Sequence, residues 1–214
     1  MCAIALITLC TPPPPASASK VPPGRIISLI PSDDEVSQLV GLPVSHLNDP
    51  LPFRPRPQDH LDERDECRTL LYSNTDDVWG SDYAAFRSQG WTYQPDQDRM
   101  YATETVGTYA NTGGARDRFD AAFNPNLFTT CSHAQLRGPL MPPGMTGELY
   151  DFQLKGDIML WTVASKYYGQ FTGYNNVFIA WHVNNVMAIV CAGQNGNPGQ
   201  AASRLAGYIL DRVG

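Results

Sequence analysis

The sequence predicts an α+β fold, a single domain whose central antiparallel sheet is flanked by helices. Three observations carry this reading. Strand-like and helix-like stretches are segregated along the chain rather than alternating as βαβ units. In GELYDFQLKG, residues 147–156, Tyr150, Phe152 and Leu154 alternate with Asp151, Gln153 and Lys155, the pattern of a half-buried antiparallel strand. Apolar residues make up 43% of the 214, enough for one well-filled core.

Residues 1–18 read as an export-signal-like segment. MCAIALITLC is apolar but short, since a bilayer crossing needs about twenty residues. It fits the apolar centre of a signal peptide, although no basic residues precede it. Ala16-Ser17-Ala18 has the small-x-small form that predicts cleavage before Ser19. Lipidation of Cys10 is the alternative, with Leu9 larger than the small residue usual before such a cysteine. Residues 19–27 then form a Pro-rich, extended spacer, and 28–214 the domain.

Within the domain, Ser32 and Glu35 form a capping box, and Asp33 and Asp34 suit the positive end of a helix dipole. Val36, Leu39 and Val40 supply one apolar face, and Gly41 ends the helix. Residues 42–66 are rich in Pro, Asp and Arg and show no periodicity. Residues 83–94 and 99–110 read as strands joined by a turn at Pro95-Asp96-Gln97-Asp98. Ala115, Phe119, Ala122 and Phe123 fall at helical spacing over 112–123, and Asn124-Pro125 stops that helix. After GELYDFQLKG, Lys155-Gly156-Asp157 turns the chain into the strand DIMLWTVASKYY. FIAWHVNNVMAIVCAG, residues 178–193, reads as one long strand. Pro198 starts a final helix with Ala202, Leu205, Ile209 and Val213 on one face.

Charge excludes some partners. Residues 33–66 hold nine acids and three bases, so this segment alone matches the net charge of −6 for the whole chain. With no basic stripe and a pI near 5.1, nucleic acid and an anionic membrane surface are poor partners. Any membrane association runs through a lipid anchor at Cys10.

Catalysis finds little footing. In one regular strand, Cys191 and His182 point to opposite faces, roughly 30 Å apart, and cannot act as nucleophile and base. His46, His60 and His133 carry no local cysteine-protease signature. Cys131-Ser132-His133 lacks the further ligands a zinc site needs, so neither a metal nor a cofactor is expected. The chain carries no GxSxG and no nucleotide loop. Cysteine usage points instead to a disulfide. Cys67, Cys131 and Cys191 allow one bridge and leave one odd thiol. Cys131–Cys191 is favoured because both stand at ends of regular elements, with Cys67 as the alternative partner.

The order of motifs then resembles a known family. DEC ends an acidic connection at Cys67, and the strand TETVGTYA follows. An Ala/Phe helix, the aromatic-x-x-Cys motif FTTC, an aromatic strand pair, a stretch with a central Asn-Asn and a C-terminal helix complete the series. This order is similar to that of the PknH-like extracellular sensor domains of mycobacteria, which also occur in stand-alone exported proteins and lipoproteins. The resemblance covers about residues 28–214. It implies an α+β domain, a cleft for an extracytoplasmic ligand, stabilising disulfides and no catalytic residues. Two departures matter. Phe128 stands where the family usually has Trp, and GYNN at 173–176 lacks the cysteine the family often carries there, so one usual bridge should be missing.

The expected function is therefore an extracytoplasmic, non-catalytic, sensor-like module of the cell envelope that binds a small molecule, glycan or lipid. The alternatives are an envelope scaffold acting through a protein partner, motivated by the acidic segment and spacer, and a hydrolase. Ligand-contact candidates are His182 and Asn184 on the mixed face of the long strand, Glu104 inside an otherwise neutral strand, and the aromatics Trp161 and Tyr167.

Overall fold

Local chemistry sets the helices. The computed structural model describes residues 20–47, 52–57, 61, 64–94, 99–138 and 141–213. The signal-like segment, Cys10 and the turn at 95–98 lie outside them. Helix α1 (Asp33–Val40) carries the expected capping box, with Ser32 N–H donating to Glu35 at 2.8 Å, and ends at Gly41 in the left-handed region. Helix α2 is the single turn Asp76–Trp79. Helix α3 (Thr112–Ala122) is capped by Asn111, whose side chain accepts from Gly114 N–H. A short helix α4 (Asn126–Cys131) follows Pro125, where the sequence reading ended helical structure. Helix α5 (Gly199–Val213) buries Ala202, Leu205, Ile209 and Val213, as its spacing requires.

Eight antiparallel strands form one sheet among the described residues. They are β1 (Ser45–His46), β2 (Ala85–Tyr93), β3 (Met100–Thr108), β4 (Gln135–Leu136), β5 (Met145–Lys155), β6 (Ile158–Tyr167), β7 (Gln170–Val183) and β8 (Val186–Asn195). Their spatial order is β1-β2-β3-β8-β7-β6-β5-β4. Two meanders, β1–β3 and β4–β8, thus meet where β3 pairs with β8 at the centre.

The stretch 178–193 is a hairpin, which corrects the single long strand. Asn184-Asn185 is its turn, with Asn184 at φ 54°, a conformation asparagine tolerates well. Val183 pairs with Val186 and Phe178 with Cys191. The reversal changes which residues share a face. Phe178, Ala180, Met187, Ile189 and Cys191 pack into one core, and Val177, Ile179, Trp181, Ala188 and Val190 into another. The sheet is buried on both sides, which is why no simple in–out alternation marks this segment.

The first core lies beneath α2, α3 and α4 and contains Trp79, Phe119, Phe123 and Trp161. Gly107 permits it: a β-carbon there would come within 2.7 Å of the Trp79 ring. The second core lies beneath α1, α5 and a 3-10 helix at Pro23–Leu29, which buries Ile26 and Leu29. Residues 20–27, expected as the end of an extended spacer, are therefore packed onto the domain from Val21 onward. Asn185 anchors them, accepting from Val21 N–H at 2.8 Å and donating to Val21 O at 2.9 Å and Tyr109 O at 3.0 Å.

Two further expectations change. A bulge at Asp151, φ 55°, breaks the alternation of β5, because the register shifts between Tyr150 and Gln153. Leu154 is consequently 43% exposed. The disulfide joins Cys67 to Cys131, with α-carbons 5.7 Å apart, and Cys191 is a buried free thiol. The Cys131–Cys191 pairing fails because Cys191 lies mid-strand in β8, flanked by Phe178 and Thr103, while Cys67 in the 3-10 helix Asp65–Leu70 packs on α4.

Candidate functional site

The sheet face beneath α2–α4 is apolar at one end and polar at the other. Towards α3 it presents Phe86, Trp161, Ala180 and Met187. Beyond the reach of those helices it presents Ser88, Tyr101, Thr103 and Asn176, with Phe178 and Cys191 between. The segment 71–74 and Met141 form the facing wall. Between them lies a cleft of about 400 Å³. That is within the usual range for small-molecule sites.

Register explains how these residues converge. Thr103 pairs with Cys191, Cys191 with Phe178, and Phe178 with Trp161, so one row crosses four strands. Ser88 and Thr105 share a hydrogen bond of 3.0 Å on the same face. Gly193 lets Asn176 and Tyr174 lie across β8, since a β-carbon there would sit 2.2 Å from Asn176 Oδ1. Arg56 is the one charged side chain among the described residues that line the cleft. It is held in place by Asn74, to which its Nε donates at 3.0 Å, and by the Tyr72 ring, 4.7 Å away.

Cys191 is no nucleophile in this setting. It is 1% exposed, and burial pushes its thiol pKa upward, away from thiolate formation. His182 now shares its sheet face but pairs with Met187, four residues along β8 from Cys191, or about 13 Å. Among the described residues, no three His, Cys, Asp or Glu side chains gather as a metal site.

The five nominated contacts scatter. His182 is tucked against Phe119, ring centroids 5.2 Å apart, with Nε2 3.4 Å from Asp157 Oδ1. Asn184 sits in the hairpin turn and donates to Val213 O at 3.3 Å. Trp161 is core, stacked on Phe178 at 5.0 Å and donating to Leu70 O at 2.8 Å. Tyr167 stands half-exposed at the β6–β7 tip against Tyr168. None of these four lines the cleft. Glu104 is fully buried on the opposite sheet face, in the row of Met100, Ala102 and Val106. Neither of its oxygens has a hydrogen-bond partner. Burial drives its pKa well above the ordinary glutamate range.

Sequence reasoning missed the cleft residues themselves. Tyr101, Thr103 and Thr105 alternate with Met100, Ala102 and Val106, so a polar sheet face was visible in β3. Arg56, Tyr72 and Asn74 come from an aperiodic stretch and reach the cleft only through tertiary contacts.

Residues 21–124 match the family model of the PknH-like extracellular domain. The resemblance thus holds over this range, which contains DEC and TETVGTYA, while FTTC at 128–131 lies beyond it. The crystal structure of the extracellular domain of PknH from Mycobacterium tuberculosis shares the fold, at TM-score 0.78. The two align over 92% of this chain and 98% of that one, with 16% identity. An uncharacterised protein from Mycobacterium smegmatis aligns over 86% of this chain and 97% of its own, at 12% identity. Its TM-score of 0.39 is too low to bear on the fold. No curated protein matches the chain. Among the described residues, no helix is long and apolar enough to cross a membrane.

Proposed function

We propose that this chain is an extracytoplasmic, non-catalytic ligand-binding module. Its cleft takes a small molecule with an apolar body and several hydrogen-bonding groups. The cleft carries the reading: hydroxyl and amide groups of Ser88, Thr103 and Asn176 converge beside Phe178, Val163 and Leu71. An apolar ligand alone would leave those polar groups unpaired, and a purely polar one would waste the apolar wall. The PknH-like match and the disulfide support a location outside the cytoplasm. The chain itself then passes on no signal by catalysis, and a partner would read the bound state.

Thr103→Tyr tests this by filling the cleft from its floor. Native mass spectrometry of the chain from its own host should show a bound mass that denaturation releases, and the variant should lack it. A wild-type chain that carries nothing, and takes up nothing from an extract of its host's envelope, would overturn the proposal.

A further inference from the structure

The other face of the sheet carries a second groove. Helix α5 packs on β7 and β8, and beyond it the face of β5, β6 and β7 opens to solvent. Two adjoining depressions lie there, of about 480 and about 170 Å³, and Tyr150, Asp151 and Asn175 line both. Phe171 marks one end. Asn197 and Pro198, just ahead of α5, mark the other.

The side chains in this groove are held in place. Tyr150 donates to Asn175 Oδ1 at 2.9 Å, and Asn175 donates to Gly196 O at 2.7 Å. The β5 bulge lifts Asp151 into the groove, with φ at 55° in the left-handed region that Asp and Asn adopt more readily than most residues. Glu148 is paired with Lys166 and lies 3.3 Å from His133 Nδ1. The Lys166 ammonium stands 4.4 Å from the centre of the Phe171 ring, yet that ring remains 63% exposed. The ammonium braces the ring, and most of the residue stays open to solvent.

This pattern matches one ligand chemistry. A sugar offers hydroxyls that donate and accept, and a C–H face that lies on an aromatic ring. Planar carboxylate and amide groups engage pairs of hydroxyls, and an exposed ring takes the C–H face. An anion would meet the Asp151 and Glu148 carboxylates, and Lys166 already neutralises Glu148 against a cation. A lipid chain would cover the Asp151 carboxylate without pairing it and leave the remaining hydrogen-bonding capacity of Tyr150 and Asn175 unused. We propose that the groove binds a neutral oligosaccharide, with Phe171 as the stacking platform and Asp151, Tyr150 and Asn175 as hydroxyl partners. The site lies across the sheet from the cleft and stands independently of it.

The test is amide-shift NMR on the chain, titrated with soluble neutral cello-, chito-, malto- and arabino-oligosaccharides. At least one series should give saturable shifts at Asp151, Phe171 and Asn175. Phe171→Ala should weaken that binding about tenfold, the value of one lost stacking contact of about 1.4 kcal/mol. Asp151→Asn, which keeps the bulge because Asn tolerates positive φ, should weaken it less while leaving the spectrum native. Thr103→Tyr in the cleft should leave it unchanged. No saturable shift with any series would overturn the proposal. So would shifts that map to the cleft or survive Phe171→Ala.

Discussion

At the scale of single residues, Glu104 stands out among the described residues. Its carboxyl is fully buried among apolar neighbours, with no hydrogen-bond partner for either oxygen. Burial raises its pKa, Arg212 opposes the rise and Glu35 adds to it. The folded chain therefore keeps a proton that the unfolded chain releases above about pH 4.3. Its contribution to stability is greatest below that pH and falls as pH climbs towards the folded pKa, by at most about 1.4 kcal/mol per unit. Glu104→Gln keeps the shape and removes the titration. It should stabilise the fold at about pH 8, change little at about pH 4, and flatten the slope between them in urea unfolding. Parallel pH profiles for the two proteins would show that Glu104 is not the group responsible. As a lone acid within TETVGTYA, Glu104 was visible in the sequence. That it faces away from the cleft was not, because facing depends on what packs over each side of β3.

At the scale of elements, the hairpin β7–β8 organises the chain. Its turn residue Asn185 is 1% exposed and ties the N-terminal segment and Tyr109 to the sheet through three side-chain hydrogen bonds. Asn185→Ala leaves Val21 and Tyr109 backbone groups unpaired in a buried place. The expected cost is about 2–4 kcal/mol by urea unfolding, with early loss of hydrogen-exchange protection at Val21. A cost below about 0.5 kcal/mol would show that the 3-10 helix at Pro23–Leu29 docks by packing alone. Elements with a local signal were legible: the capping box of α1, the apolar spacing of α3 and α5, the runs of β2 and β3. The hairpin was not, because Asn-Asn carries no glycine and apolar residues on both faces hide the reversal. The β5 bulge was not either, since Asp151 looks like an ordinary polar position in an alternating strand.

At the scale of the whole molecule, Cys67–Cys131 ties the segment leading into the cleft wall to the helical layer. Closing a loop of 64 residues stabilises the fold by about 4 kcal/mol in the chain-entropy model. Cys67→Ser with Cys131→Ser should lose roughly that amount in oxidising buffer, and a reductant should lower wild-type stability to the same level. Cys191→Ser should leave the response to reductant intact. If Cys191→Ser abolished that response instead, the pairing would be wrong.

The amino-acid sequence alone was enough for the α+β class, most helix and strand positions, the family resemblance and the poverty of catalytic motifs. These rest on periodicity, caps and residue order, all of which are local or carried along the chain. Only the tertiary structure decided the disulfide partner, the burial of both sheet faces, and the cleft and the groove across the sheet from it. Those depend on β3 meeting β8 at the centre of the sheet and on Arg56, Tyr72 and Asn74 folding back over it. Contacts between residues so far apart leave no mark in local periodicity, because each is set by shape and packing after the chain has closed.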